Sequence, residues 1–147
     1  MSNTATAATS PAPAASSSRW GIGLWVGQAL LAALFGLAGV MKTAMAPAAL
    51  AKMGLAYAVD IPHGLLLFIG VCELAGALGV ILPAATRILP FLTPLAALGF
   101  VIIQVLAIGF HFVRGELGEA LPLNLVLLAL SLFVAWGRTW KAPIAAR

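Results

Sequence analysis

Four stretches of the chain, residues 20–41, 65–83, 88–110 and about 120–136, hold one charged side chain between them, Glu73. At 1.5 Å per residue each makes a helix of roughly 26–35 Å, the thickness of a bilayer's hydrocarbon core. The pattern therefore predicts four transmembrane helices. Polar or breaking residues stand at their ends: Lys42, His63, Arg87, His111 and Arg138. Residues 43–62 are too polar and too broken to span. Pro47 suits the first turn of a helix, where its missing N–H is no loss. Leu50, Met53 and Tyr57 then share one face, with Lys52 off it, which predicts a short amphipathic helix ended by Asp60-Ile61-Pro62. Prolines set further boundaries. The second span should stop at Pro83, Pro90 should open the third, Pro94 should kink it, and Pro122 should sit in the first turn of the fourth.

The expected fold is all-α, a four-helix transmembrane bundle with a short amphipathic helix between spans 1 and 2. Residues 1–19, nearly all Ala, Ser, Thr and Pro, read as a disordered tail; 20–138 form the membrane domain; 139–147 form a short basic tail. Gly23 and Gly27, Gly36 and Gly39, and Gly70, Gly76, Ala77 and Gly79 provide small faces on which helices can approach closely in lipid.

Composition narrows the class. Hydrophobic residues make up 63% of the 147 and charged residues 8%, against about 25% charged in soluble domains. The lipid bilayer is thus the first partner. The net charge of +4, from 8 Lys+Arg and 4 Asp+Glu, is scattered over the ends of apolar runs. That is the pattern of topology signals, and it gives no reason to expect nucleic acid. The terminal side carries Arg19, Arg87, Arg138, Lys141 and Arg147 against Lys42, Lys52 and Arg114 on the other, which predicts cytoplasmic termini. All four Trp residues fall at that same face. The lone Cys72 can form no intrachain disulfide and no Cys-x-x-Cys pair.

Glu73 raises the chemical question. A carboxylate at that depth costs about 2.5–3.5 kcal/mol to insert, so other groups must make it tolerable. Lys42, His63, Gln104, His111, Arg114, Glu116, Glu119 and Asn124 all lie toward the non-cytoplasmic side. Unsatisfied polar groups are expensive in lipid, so they should face one another. The simplest arrangement is a polar pocket open to that side with Glu73 at its floor. Each group also has a structural reading: Glu73 paired with Lys42 as a packing element, Arg114 with Glu116 as a loop ion pair, His63 at the headgroups, and Gln104 and Asn124 in interhelical hydrogen bonds. No helix-spaced metal ligand pair, phosphate loop or nucleophile motif is visible, so no metal is expected.

These positions together resemble the DoxX-like family of small four-helix membrane proteins. The matching pieces are Gly39-Val40-Met41-Lys42, the run Gly70-Val71-Cys72-Glu73-Leu74-Ala75-Gly76-Ala77-Leu78-Gly79 to Leu82-Pro83, His111 with Arg114-Gly115-Glu116, Asn124, and Gly137-Arg138. The resemblance covers about 20–138. It implies a four-helix bundle and, since some relatives are subunits of thiosulfate:quinone oxidoreductases, a link to oxidoreduction in a bacterial inner (plasma) membrane. It points to Lys42, Glu73, His111, Glu116 and Asn124 as the site, to which depth in the bundle adds Gln104. The chain shows no cysteine pair and no cofactor motif, so a redox role needs a quinone or an oxidoreductase partner subunit, and the chain is not expected to be an enzyme on its own. Two other functions stay open: a non-catalytic scaffold or assembly partner, and a small proton-coupled transporter.

Overall fold

A computed structural model describes residues 16–147; the tail expected over residues 1–15 lies outside the described residues. Five α-helices follow in order: α1 (Ser16–Ala44), α2 (Pro47–Lys52), α3 (His63–Thr86), α4 (Leu92–Val113) and α5 (Leu117–Trp136). A 3₁₀ turn, Ala56–Val59, lies between α2 and α3, and a π-helical turn, Gly137–Lys141, continues α5. Four helices are long and apolar enough to cross a membrane, and α2 is not among them. The fold is thus the four-span bundle with a short non-spanning helix between the first two spans.

Each long helix turns a narrow stripe inward. On α1 the buried residues include Leu24, Gln28, Leu31, Phe35, Gly39 and Lys42, and on α3 Leu66, Gly70, Glu73, Ala77, Val80 and Ala84. On α4 they are Thr93, Ala97, Phe100 and Gln104. On α5 Leu127, Ser131 and Val134 continue to Arg138 in the π turn. These steps of three and four residues keep one face on the neighbours while the remaining apolar side chains, Phe68, Leu106 and Leu123 among them, stay exposed, as lipid-facing residues do.

Glycines let the backbones meet. A Cβ on Gly39 would lie 2.8 Å from the Gly70 carbonyl, and one on Gly70 would lie 2.9 Å from the Lys42 Cβ. Gly39 and Gly70 are therefore the crossing point of α1 and α3. Gly76 receives the Phe100 ring, which stacks on Phe35 with centroids 3.8 Å apart. With Leu31, Ala77, Val80 and Ala97 this stack forms an apolar middle. The buried polar groups lie at the two ends.

Several boundaries differ from expectation, for local reasons. Helix α1 begins at Ser16, so it takes in four residues assigned to the tail. Helix α3 runs past Pro83 to Thr86, with Arg87 in the left-handed conformation as its stop. Helix α4 starts at Leu92, so Pro90 lies in the preceding turn and Pro94 in the first helical turn, where it need not kink anything. Helix α5 starts at Leu117, which leaves Pro122 inside the helix and no longer in its first turn. The α2 face also ends early. Gly54, at φ 96, turns the chain after Lys52, so Leu50 is buried while Met53 is 59% exposed.

Candidate functional site

In an α-helix the Cα–Cβ bond tilts toward the N-terminus. Lys42 sits in the last turn of α1, so its side chain reaches back into the bundle; Glu73, about 15 Å into α3, leans outward toward it. They meet. Lys42 Nζ donates to both Glu73 oxygens at 2.7 Å, and the two residues are 7% and 4% exposed. Gly70 has no side chain to obstruct the lysine stem. The Glu73 expected at the floor of an open pocket is closed over by its partner.

Nearer the membrane surface lies a second network. His111, in the last turn of α4, has its Nδ1 3.0 Å from Glu116 Oε2. Arg114 donates through Nε to Glu116 Oε1 at 2.9 Å, and its terminal nitrogen lies 2.7 Å from Asp60 Oδ2. These bonds, first with Glu116 and then with Asp60, raise the Arg114 pKa, while Arg114 foremost and His111 next hold the Glu116 carboxyl below its ordinary value. An ionised Glu116 only accepts, so His111 Nδ1 carries the hydrogen. His111 Nε2 is left as the ring atom for a further partner. Through Arg114, Asp60 ties the loop after the 3₁₀ turn to the turn between α4 and α5, a link the sequence did not suggest.

Tyr57 packs on the second network and lies in the field of the first. Its ring meets His111 edge-on at 5.7 Å and Phe110 at 6.2 Å. Its phenol pKa is pushed up to about 12, mainly by burial and secondly by the negative charge of Glu73. Sequence reasoning used Tyr57 only as an apolar face residue. A lone tyrosine in a broken segment beside a buried acid was the available signal.

The remaining expected residues divide. Gln104 is 3% exposed. Because Gly76 faces Phe100, one turn toward this end brings Glu73 on α3 and Gln104 on α4 to the same depth. Its amide makes no hydrogen bond to another of the described residues. Asn124 is half-buried on the inward stripe of α5, one turn before Leu127, whereas His63 is exposed. Among the described residues no group of three or more His, Cys, Asp or Glu could hold a metal ion.

The terminus-bearing end also contains a buried polar pair, which the sequence reading missed. Gln28 on α1 donates to the Val80 carbonyl and accepts from Arg138 Nε at 2.6 Å. Arg138, read as a topology signal, is 6% exposed. Gly137 allows this, since a Cβ there would strike the Leu24 side chain. The π turn, closed by Ala142 N–H donating to the Gly137 carbonyl at 2.8 Å, places Arg138 inward.

Comparison with known proteins gives one family. The model of the DoxX-like family matches residues 26–134, well over half of the 147 residues. No curated protein and no solved structure matches the chain. The matched region takes in the Lys42–Glu73 pair, Tyr57, the His111–Glu116–Arg114 network and Asn124, and ends before Arg138.

Proposed function

The chain belongs to the DoxX-like family, and from that premise we propose that it is a membrane-embedded subunit that binds a quinone or similar small lipophile at the end opposite its termini. The observation that carries this reading is the occurrence of two acid–base clusters, Lys42–Glu73 and His111–Glu116, at one end of the bundle, with Tyr57 against His111 and in the field of Glu73. Gln104, buried and without a hydrogen bond among the described residues, fits a ligand carbonyl. So does the Tyr57 hydroxyl. A quinone would supply reversible two-electron, two-proton chemistry. The residues would orient its head by hydrogen bonds from Gln104 and Tyr57, and His111 would exchange protons with the surface. With the termini in the cytoplasm, this end faces the other side of the membrane. Electrons would come from an oxidoreductase partner, so the chain serves as a subunit and not as an enzyme by itself.

The test is the melting temperature of the purified protein in mild detergent with and without short-chain ubiquinone and menaquinone analogues. The expected result is a rise with at least one of them, reduced in Gln104→Leu and Tyr57→Phe. A melting curve that no analogue moves would overturn the reading. One observation favours the scaffold alternative: Lys42 contacts both Glu73 oxygens, which leaves neither of them without a partner. In that case His111→Phe and Gln104→Leu would change stability alone, with cellular function intact.

A further inference from the structure

Every Asp and Glu of the chain, Asp60, Glu73, Glu116 and Glu119, lies toward the end opposite the termini. The other end carries Arg19, Arg87, Arg138, Lys141 and Arg147. Four of these can reach water. Arg138 cannot, and among the described residues it makes no ion pair with an Asp or Glu. Its Nε binds the neutral Gln28, one terminal nitrogen donates to the Ala142 carbonyl at 3.4 Å, and its guanidinium lies 5.3 Å from the Trp25 ring centroid. Its other terminal nitrogen is buried with no hydrogen-bond partner among the described residues. A buried guanidinium with only neutral partners leaves its charge to be balanced from outside the chain.

The same Trp25 borders a cavity of about 390 Å³, lined also by Ala84, Ala85, Arg87, Pro143 and Ile144 among others. Trp25 is shared: it contacts the Arg138 guanidinium and walls the cavity. The chain after the π turn forms a further wall, running from Ala142, which accepts from Arg138, to Arg147, whose N–H donates to the Arg87 carbonyl at 3.3 Å. The cavity thus has apolar sides, an exposed arginine on its lining and a buried cation behind an indole. Trp residues also mark headgroup depth in membrane proteins.

We propose that this cavity is a binding site for an anionic phosphate carried by a phospholipid, contacted by Arg87 and attracted by the Arg138 charge behind Trp25. The ring and the alanines would take the glycerol and upper acyl carbons. Basic pockets at helix ends bind anionic headgroups in this way. The phosphate would supply a counter-charge that no Asp or Glu supplies at this end.

The test uses the full chain, stripped of lipid in a neutral detergent, and reads retained lipid by native mass spectrometry together with melting temperature. Phosphatidylglycerol, phosphatidylcholine and inorganic phosphate are compared. Phosphatidylglycerol should be retained and should raise the melting temperature, with phosphatidylcholine several-fold weaker. Arg87→Gln should weaken phosphatidylglycerol binding about fivefold, in line with one basic residue near an anionic headgroup, without changing the melting temperature of the lipid-free protein. Lys141→Gln is the control. It removes an exposed cation at the same end, packed on Trp136 and outside the cavity lining, and should change binding by no more than about twofold. Equal retention of the two lipids, or equal effects of the two substitutions, would overturn the site. Protection by inorganic phosphate matching that of phosphatidylglycerol would overturn the lipid as its carrier.

Discussion

The two ends of the bundle solve one problem with one device and reach different results. At each, a basic residue in the last turn of a helix or its extension reaches back toward the middle and meets a polar residue on the partner stripe: Lys42 meets Glu73, and Arg138 meets Gln28. Cations are favoured at helix C-termini, where carbonyl groups lack partners. The direction of the Cα–Cβ bond sends both side chains inward. Glu73 neutralises Lys42, whereas Gln28 satisfies hydrogen bonds and leaves the Arg138 charge standing. Between them, 14 residues of α1 from Gln28 to Lys42, about 21 Å, are filled by the Phe35–Phe100 stack and its aliphatic neighbours. One end is electrically closed and the other is open, so the same kind of substitution should have different effects at the two.

The largest effect is expected at the closed end. Removing one partner, as in Lys42→Met, strands the other charge at a buried position and should destabilise the bundle by about 3–5 kcal/mol. Lys42→Met combined with Glu73→Leu should recover most of that loss, because neither charge then remains. Chemical unfolding of the single and double variants in detergent gives the coupling directly. If the double variant is as unstable as the sum of the singles, the two residues do not act as a pair.

A smaller loss is expected at the open end. Gln28→Leu removes the donor to the Val80 carbonyl and the acceptor of Arg138 Nε, and should cost about 1–3 kcal/mol. Added phosphatidylglycerol should recover part of the loss, and it should do nothing for Lys42→Met. Unfolding curves of both variants with and without that lipid separate the two ends. A rescue equal at both would erase the distinction.

How far the sequence reveals these ends depends on whether the signal is local. The spans were legible because each is a long apolar run. Lys42–Glu73 was legible because a carboxylate in such a run demands a partner and few cations were near it. Arg138 was not, since an arginine just past an apolar helix is an ordinary topology signal and only the π turn faces it inward. Gln28 offered the clue: an amide deep in the first span needs a partner, and Arg138 stands at the matching depth. Tyr57 escaped because Gly54 breaks the helical register, so a spacing rule carried past that glycine misplaced Met53 and said nothing of Glu73. The prolines were misread by one turn because apolarity alone does not fix a helix start.

The smallest effect tests the closed end by pH. With its phenol pKa pushed from 10.0 to about 12 in the folded protein, Tyr57 favours the folded state only while protonated. The contribution is therefore complete below pH 10 and is lost as pH rises toward 12. At pH 10.5 the loss amounts to roughly 0.5–1 kcal/mol. The quantity to measure is the difference between wild type and Tyr57→Phe, followed by unfolding from pH 8 to 11. The difference should be flat to about pH 9.5 and then move against the wild type, because only its unfolded state gains from ionising the phenol. Absorbance at the tyrosinate band reads the same group independently, since Tyr57 is the only tyrosine in the chain. Glu73→Gln removes the negative charge that forms the second part of the shift but leaves burial, its larger cause. The tyrosinate midpoint should therefore move down only part of the way toward 10. A midpoint already at 10 in the wild type would mean that Tyr57 is neither buried nor in the field of Glu73, and would separate the Lys42–Glu73 pair from the His111 network.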